Sequence, residues 1–387
     1  MNRLIYILPK REYFSRGGRG SVTHALGVME GFSDNNQPMT IISGNGLELH
    51  EGKFANTKLI QIATACDSKE LSKKAWQDKL LKVLEDELKL GNVSTVMVRY
   101  AASSPLFLAK LAKLARAYRV KSVLEVNSFA VHNEAKIPKA MRPLALKFES
   151  SIASKFDLVY VISKALKAQL QKGACKAKIV VVPNGASKKQ ILGTNNLSPK
   201  EPIRFVYLGV MQYYYDFETL IKGFKIYRKK GGTGSLHFYG DGVSEAASKE
   251  MAKGLEEVYF HGRYKLEDLP NIVNAETDIM VLPYGESGED SIRSPIKLFE
   301  YMALGAAILA NDVGQISDIA INGKTAYLYE NKNAVSLADA MQYLQEQPEL
   351  RINLAKQGQE DFIKNHTWQA RMKYLGDYFV TKEVANV

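Results

Sequence analysis

A stretch near position 297 combines residue types that could bind a phosphate-bearing ligand. The sequence SIRSPIKLFEYMALG predicts a short helix with Ser294 as its N-cap, Pro295 at its first position and Gly305 at its end. Free backbone N–H groups and the positive end of the helix dipole meet at such an N-terminus, where Lys297 adds a full charge. Glu300 follows on nearly the same helix face, and a carboxylate can accept two hydroxyl hydrogen bonds, as from a ribose. The stretch suits a nucleoside diphosphate, although an ordinary capped helix with a solvated Lys–Glu pair explains the same residues equally well.

The rest of the chain alternates strand-like and helical runs, the pattern of parallel sheets covered on both faces. The predicted strands of the first half are residues 4–8, 39–43, 93–99, 121–126, 157–162 and 179–182, with helices over residues 22–32, 70–90 and 105–118. The predicted strands of the second half are residues 204–208, 236–239, 258–261 and 278–282, and a last helix spans 368–379. We predict an α/β fold of two Rossmann-like domains, residues 1–186 and 203–365, with a polar linker over 187–202 and a final helix and tail over 366–387.

Charge is divided unevenly between the two halves. Residues 1–186 hold 29 Lys and Arg against 15 Asp and Glu, a net charge of +14, whereas residues 187–387 hold 23 against 26, a net charge of −3. A basic half predicts an anionic partner, which could be nucleic acid, an acidic membrane surface or a phosphate-bearing substrate, unless the charge only solubilises the protein. The sequence shows no nucleic-acid-binding pattern of interleaved basic and aromatic residues, so nucleic acid is the weakest of these candidate partners.

One basic segment has the composition of a membrane-surface helix. Residues 135–148, AKIPKAMRPLALKF, mix four Lys and Arg with apolar residues. Such a segment can lie on an anionic bilayer, or it can be a surface helix packed on the sheet. No run reaches the roughly 18 apolar residues of a membrane span, and Cys66 and Cys175 form no disulfide framework. We therefore expect a cytoplasmic protein, with peripheral contact at the inner face of the cell membrane as the open alternative.

The stretch SPIKLFEYMALGAAILANDVGQISDIAINGKTAYLY resembles the donor-nucleotide signature of the GT-B glycosyltransferases, in particular the retaining family-four group. The resemblance implies two domains facing each other across a cleft, with the C-terminal helix crossing back to the N-terminal domain. It also implies that the helix start at Ser294, Pro295 and Ile296, with Lys297, holds the diphosphate of a UDP- or GDP-linked sugar. Glu300 would bind the ribose. No metal ion and no cofactor are expected beyond this donor.

The same resemblance implies a wider donor pocket. The residues that it places there, beyond the helix, are Gly17, Gly18, Gly209, Gly240, Gly262, Arg263 and Tyr264. Within this pocket the sequence departs from the family pattern at two points. A second family glutamate is replaced by Ile292, and Glu289 or its neighbours Glu286 and Asp290 are the candidate substitutes. Three tyrosines, residues 213–215, stand where relatives carry a phosphate-binding base, so we expect Arg263 or Arg293 to supply the second positive charge.

The predicted strand over residues 121–126 ends in EVNSF at the carboxyl edge of the first sheet, where open α/β folds bind ligands. Glu125, Asn127 and Ser128 are candidates for contact with the acceptor or the donor sugar. We predict Glu125 and Asn127, together with Lys297 and Arg263, as catalytic residues. Relatives carry His or Asp near this point, so the segment is another departure from the family.

These observations predict a glycosyltransferase that moves a sugar from a nucleotide diphosphate donor to a glycan, in cell-surface polysaccharide synthesis. The basic first half makes a polyprenyl-diphosphate-linked glycan an attractive acceptor, and a soluble anionic glycan is the open alternative. An epimerase or hydrolase on the same fold is one alternative, for which His24, His132 and His261 are the candidate acid or base groups. A nucleotide-sugar binding protein without transfer activity is the other.

Overall fold

The computed structural model describes residues 3–12, 20–47, 54–66, 69–101, 104–129, 137–194, 197–285 and 292–379 of the 387-residue chain. The chain divides into two units. The first combines Met1–Asn184 with Trp368–Val387, and the second spans Gly185–Thr367. Residues 187–202, expected from the sequence to form a linker, belong to the second unit and include a 3-10 turn at Lys188–Gln190.

The first unit is a parallel sheet with helices. Its strands are β1 (Arg3–Glu12), β2 (Met39–Asn45), β3 (Thr57–Gln61), β4 (Ala65–Cys66), β5 (Lys69–Glu70), β6 (Val93–Arg99), β7 (Lys121–Val126), β8 (Leu158–Val161) and β9 (Lys178–Val181). Its helices are α1 (Gly20–Asp34), α2 (Lys73–Lys89), α3 (Pro105–Ala117), α4 (Arg142–Ala153), α5 (Lys164–Lys172) and α13 (Trp368–Gly376). Seven strands pair in the order β3-β2-β1-β6-β7-β8-β9, and β4 and β5 form a small antiparallel pair.

Local sequence explains the elements of this unit. Residues 4–8 of the central strand β1 are each at most 1% exposed, because a strand covered on both faces is a continuous apolar run. Helices α2 and α5 begin at serine caps, where Ser72 Oγ accepts from Ala75 N and Ser163 Oγ accepts from Leu166 N, each at 3.2 Å.

The last helix of the chain packs on the first helix of this unit. Trp368, at the start of α13, lies against Gly27 of α1, where an added Cβ would be 2.0 Å from Trp368 Cε2. Asn35 Nδ2 donates to Gln369 O and Gln369 Nε2 donates to Asp34 O, both at 2.8 Å. The predicted return of the C-terminal helix to the first domain is therefore confirmed.

The second unit repeats the architecture. Its strands are β10 (Arg204–Leu208), β11 (Ser235–Tyr239), β12 (Val258–Gly262), β13 (Asp278–Leu282), β14 (Ala307–Asn311) and β15 (Tyr327–Tyr329). Its helices are α6 (Phe217–Lys229), α7 (Glu245–Met251), α8 (Leu269–Ile272), α9 (Ile296–Leu304), α10 (Gly314–Ile319), α11 (Ala334–Glu346) and α12 (Pro348–Asp361), the last followed by a π-turn at Phe362–His366. The parallel sheet runs in the order β12-β11-β10-β13-β14-β15.

The strand order of the second unit places one apolar core on each face of its sheet. Phe205 and Tyr207 face a core shared with α6 and α11, whereas Val206 and Leu208 face a core shared with α9. The predicted α/β fold of two Rossmann-like domains is confirmed. Within the described ranges, no helix is long and apolar enough to cross a bilayer.

Candidate functional site

The N-terminus of α9 lies one residue later than the sequence predicts. The helix begins at Ile296, and Pro295 occupies the N-cap with an extended ψ of 107°, so Pro295 is outside the helix and Ser294 is not its cap. No side chain of the described residues caps this end. Gly305 ends the helix at a left-handed φ of 68°, as predicted.

Lys297 turns its side chain from α9 towards the end of β10. Its Nζ donates to Leu208 O at 2.9 Å and lies 5.5 Å from the ring centroid of Tyr207 and 6.0 Å from that of Tyr215. Burial lowers the pKa of the Lys297 ammonium, and the charge of Glu300 opposes this shift. The ammonium therefore rests on a carbonyl and two aromatic rings, and no carboxylate of the described residues forms an ion pair with it.

Gly209 makes this position of Lys297 possible. Its φ is +135°, and a Cβ added there would lie 1.5 Å from Lys297 Nζ and 2.6 Å from Lys297 Cε. Any other residue would combine backbone strain with a direct overlap. Gly209, which the sequence predicts in the donor pocket, is therefore required for the observed position of the Lys297 side chain.

Glu300 lies on the next turn of α9 and is half-buried. Its charge contributes to the raised pKa values of Tyr215, Tyr264 and Tyr301, for each of which burial is the main cause. Of the described residues, none donates a hydrogen bond to the Glu300 carboxylate, and Lys297 forms no ion pair with it. The carboxylate therefore keeps its acceptor capacity, so the two residues are not the solvated pair of the ordinary-helix alternative.

Backbone hydrogen bonds tie the ends of three neighbouring strands together. Gly209 N donates to Tyr239 O at 2.7 Å and Gly240 N donates to Gly262 O at 2.6 Å. Gly240 has a φ of +130°, and a Cβ there would lie 2.1 Å from Gly209 O. Gly209, Gly240 and Gly262 are therefore brought together, whereas a Cβ on Gly262 would meet nothing within 4 Å.

The two candidate arginines are placed differently. Arg263 Nε donates to Asp241 Oδ2 at 2.5 Å, and the Arg263 side chain is 85% exposed. The Arg293 guanidinium lies 4.7 Å from the ring centroid of Tyr214, which packs 4.9 Å from Tyr215. Arg293 and Lys297 thus both lie against the packed tyrosines 214 and 215, whereas Arg263 is paired with Asp241. Sequence reasoning left both open, since a cation–π contact gives no sequence signal.

Several predicted residues fall elsewhere. Gly17, Gly18 and Glu289, with Glu286 and Asp290, lie outside the described residues. Tyr264 is half-buried near Glu300. Ile292, which stands in place of the second family glutamate, is 2% exposed. An apolar side chain in that buried position is well accommodated, so Ile292 does not take over the polar role of a glutamate.

Glu125 of the first unit is fully buried in a network of polar side chains. Its carboxylate accepts from Tyr6 Oη at 2.6 Å and from Asn127 Nδ2 at 2.9 Å, and it lies 2.9 Å from His24 Nε2 and 3.4 Å from Arg99 Nε. Burial alone would raise the pKa of Glu125, but the charges of His24 and Arg99 and the hydrogen bonds lower it to about 2. Glu125 has no exposed surface and is a buried countercharge in this structure, and the catalytic role predicted for it stays a prediction.

The network extends to other predicted residues. His24 Nδ1 lies 2.6 Å from Asn184 Oδ1, which links α1 to the end of the first unit. Asn127 is half-buried, and its Oδ1 accepts no hydrogen bond from the described part of the chain. Asn127 therefore keeps one unused acceptor next to the buried carboxylate. The contacts join residues far apart in sequence, which is why sequence reasoning did not find them.

Two parallel-sheet units in one chain have the architecture of the GT-B class. Residues 189–361 match the family model described as glycosyl transferases group 1, and residues 18–189 match the one described as Glycosyltransferase Family 4. The chain belongs to these GT-B, family-four-like glycosyltransferases. No curated protein sequence matches it significantly.

Solved structures share the fold over the whole chain. HepE of Anabaena in complex with UDP and glucose is 14% identical, with a TM-score of 0.66 over 98% of this chain and 99% of that chain. A glycosyltransferase of Rickettsia africae is 16% identical, with a TM-score of 0.72 over 98% and 97%. The lipopolysaccharide outer core galactosyltransferase WaaB is 16% identical, with a TM-score of 0.66 over 97% and 98%. At such identities the likeness concerns the fold alone.

Proposed function

We propose that this glycosyltransferase takes its sugar from a nucleoside diphosphate bound at the N-terminus of α9. The observation that carries the proposal is the position of Lys297, whose ammonium rests on Leu208 O beside tyrosine rings and has no carboxylate partner among the described residues. Glu300, one turn on, keeps its acceptors for the ribose hydroxyls. UDP is the first candidate over GDP, since HepE shares the fold and was solved with UDP.

The chemistry needs groups that stabilise the negative charge of the departing diphosphate. The positive end of α9 and Lys297 are fixed before the reaction, and Arg293 on Tyr214 is the second cation. We propose that these groups act without a metal ion and that transfer proceeds with retention, as in the family. Arg263 would reach the donor only by leaving Asp241.

The acceptor is proposed to be an anionic glycan carrier, such as a polyprenyl-diphosphate-linked glycan at the inner face of the membrane. The net charge of +14 in residues 1–186 supports an anionic acceptor on the first unit. A role in cell-surface polysaccharide synthesis agrees with the likeness in fold to WaaB, an enzyme of lipopolysaccharide assembly by its name.

A nucleotide-sugar binding protein without transfer activity is the second candidate. Buried Ile292 in place of a family glutamate, together with the buried position of Glu125, favours it. An epimerase or hydrolase gains less support, because His24 is 3% exposed and engaged with Glu125 and Asn184.

The test of the donor site is thermal unfolding with UDP, GDP, ADP, CMP and dTDP. A nucleotide at about 100 times its dissociation constant adds roughly 2.7 kcal/mol to the stability of the protein that binds it. We expect one diphosphate to raise the melting temperature of the wild type but not of Lys297→Met or Glu300→Gln. Lys222→Met and Glu218→Gln, at an exposed ion pair on α6, are the matched controls and should respond like the wild type. Equal stabilisation of all five proteins would place the nucleotide elsewhere.

Transfer is tested separately from binding. The wild type is incubated with a nucleotide sugar that contains the nucleotide found to bind and is labelled in its sugar. The label is then followed in a lipid-extracted glycan fraction and in free sugar. Label in the lipid fraction supports transfer to a lipid-linked acceptor, label only in free sugar supports a hydrolase, and unchanged donor despite binding supports the non-catalytic candidate.

A further inference from the structure

One side of α4 in the first unit is apolar and exposed. The helix packs on its own unit through the opposite side, where Leu146, Ile152 and Ala153 are buried. Met141, just before the helix, and Leu144 and Phe148 within it are 56%, 68% and 51% exposed. Their spacing puts all three on one stripe of the helical surface. Helix α4 therefore packs on its own unit through one side and exposes apolar side chains on the other.

Positive charge surrounds this stripe. Helices α3 and α5 are the neighbours of α4, and residues 137–178 hold nine Lys and Arg against two acids. Both acids are engaged: Glu149 Oε1 accepts from Tyr100 Oη at 2.5 Å, and Asp157 Oδ2 accepts from the N–H and hydroxyl of Ser122 at 2.8 and 2.7 Å. Residues 105–120 of α3 and its end add four Lys and Arg and no acid. This face is therefore net positive, and one of its lysines, Lys110, lies 3.7 Å from Asp78 Oδ1 of α2.

We propose that the α4 surface, defined as Met141, Leu144 and Phe148 with the basic residues of α3, α4 and α5, docks the protein on an anionic lipid bilayer. Apolar side chains enter the interfacial region while Lys and Arg meet anionic headgroups. The inference deepens the proposed function, because a lipid-linked acceptor would be presented at that surface. The docking surface itself is inferred from side-chain exposure and charge. Only its link to a lipid-linked acceptor rests on the proposed function.

The chemistry of the stripe favours a bilayer over nucleic acid. A phosphodiester backbone would use the lysines but would gain little from exposed Met141 and Leu144. Single-stranded nucleic acid stacks on aromatic platforms, and the stripe carries only one aromatic ring, that of Phe148. Exposed aliphatic side chains among cations are the pattern of an interfacial helix.

The first experiment is co-sedimentation of the full chain with phosphatidylcholine vesicles, with or without phosphatidylglycerol. We expect binding only to the anionic vesicles. Lys139→Gln/Lys147→Gln should bind about 30-fold more weakly, since each lysine near an anionic surface contributes about 1 kcal/mol and a tenfold change is about 1.4 kcal/mol. Lys222→Gln/Lys225→Gln, with the same charge change on α6, is the control and should bind about as well as the wild type.

The apolar contribution is tested by Leu144→Ser/Phe148→Ser, with Val243→Ser/Val335→Ser as the control for exposed apolar residues of the second unit. We expect the first variant to lose vesicle binding and the control to keep it. Because the replaced side chains are exposed, melting temperatures should be unchanged, which separates loss of docking from loss of folding. Wild-type protein that ignores anionic vesicles, or Leu144→Ser/Phe148→Ser that binds them normally, overturns the proposal.

A fluorescent reporter shows whether the stripe enters the bilayer. Phe148→Trp adds an exposed indole to a protein whose own Trp76 and Trp368 are 1% and 2% exposed. We expect its emission to shift to the blue on anionic vesicles and to stay unchanged on phosphatidylcholine alone. An unchanged spectrum on bound vesicles means that the stripe does not insert. Duplex DNA that displaces the vesicles, with binding reduced in the lysine variant but not in the apolar one, would identify a nucleic-acid surface instead.

The two proposals fail independently. The α4 variants should keep the UDP-induced rise in melting temperature, because the donor residues lie in the second unit. Vesicle binding without nucleotide stabilisation refutes the donor assignment, and nucleotide stabilisation without vesicle binding refutes the docking surface.

Discussion

Replacing Gly209 by alanine tests whether the Lys297 side chain occupies the position that the structure shows. The new Cβ would lie 1.5 Å from Nζ, 2.6 Å from Cε and 3.7 Å from Cδ of Lys297, at a φ of +135° that non-glycine residues rarely adopt. Such backbone strain costs about 1–3 kcal/mol, and the displaced lysine loses its hydrogen bond to Leu208 O, worth about 1–2 kcal/mol.

The expected loss is about 3 kcal/mol, or about 6–12 °C in melting temperature for a unit of this size. Donor affinity should fall about 10- to 100-fold, because the charged contact with the diphosphate is lost or misplaced. The assays are thermal unfolding and nucleotide titration by calorimetry. Gly254→Ala is the control: its φ is +76° and its Cβ would meet nothing within 4 Å, so it should lose some stability but no affinity.

The double variant Gly209→Ala/Lys297→Ala measures how much of the lost stability comes from the overlap between the new Cβ and the Lys297 side chain. An alanine side chain at position 297 lacks all three lysine atoms that approach the new Cβ, so the second substitution should relieve part of the damage of the first. We expect the double variant to be more stable than the sum of the single effects by about 0.5–3 kcal/mol. Additive effects, or a Gly209→Ala protein that binds donor normally, would refute the placement of the lysine.

Three further predictions follow from burial. Lys297→Met should be at least as stable as the wild type at neutral pH, and its advantage should shrink as pH rises towards 10.5, because a lowered lysine pKa makes the folded state bind protons less readily. Glu125→Gln should lose about 3–5 kcal/mol at pH 7, and urea unfolding should show the difference fading as pH falls from 4.5 towards 2. Gly27→Ala, which overlaps Trp368, should lose about 1–3 kcal/mol, whereas Gly376→Ala, with nothing within 4 Å, should not.

The sequence predicts the buried strands well and misses an edge strand that has few apolar residues. The predicted bounds of β6, β7, β10 and β13 agree with the structure, since a strand buried on both faces is a compact apolar run ending at turn residues. Strand β3, at the edge of the first sheet, was not predicted. Its TKLIQ is half-buried to exposed and has only two apolar residues, so neither alternation nor hydrophobicity marks it.

The candidate site was predictable only where its geometry is local. The start of α9, Lys297 and Glu300 lie within six residues, so helix spacing fixes their relation. The rest of the site depends on contacts across the fold: Gly209 is 88 residues from Lys297 in sequence, and the partners of Glu125 come from three other elements. The segment EVNSF correctly marked a strand end, but only the network around it shows that the carboxylate points inward.

Two charged side chains, those of Glu125 and Lys297, differ in the partners that surround them. Glu125 has a polar partner on one carboxylate oxygen and polar and charged partners on the other, so removing it breaks the ion pair with Arg99 and destabilises the fold. Lys297 is half-buried and contacts one carbonyl and two aromatic rings, with no ion-pair partner among the described residues, so removing it relieves a partly desolvated charge. Opposite signs of stability change at pH 7 are the consequence. A lysine without an ion-pair partner beside a strained glycine is the arrangement that the proposed nucleoside diphosphate would complete.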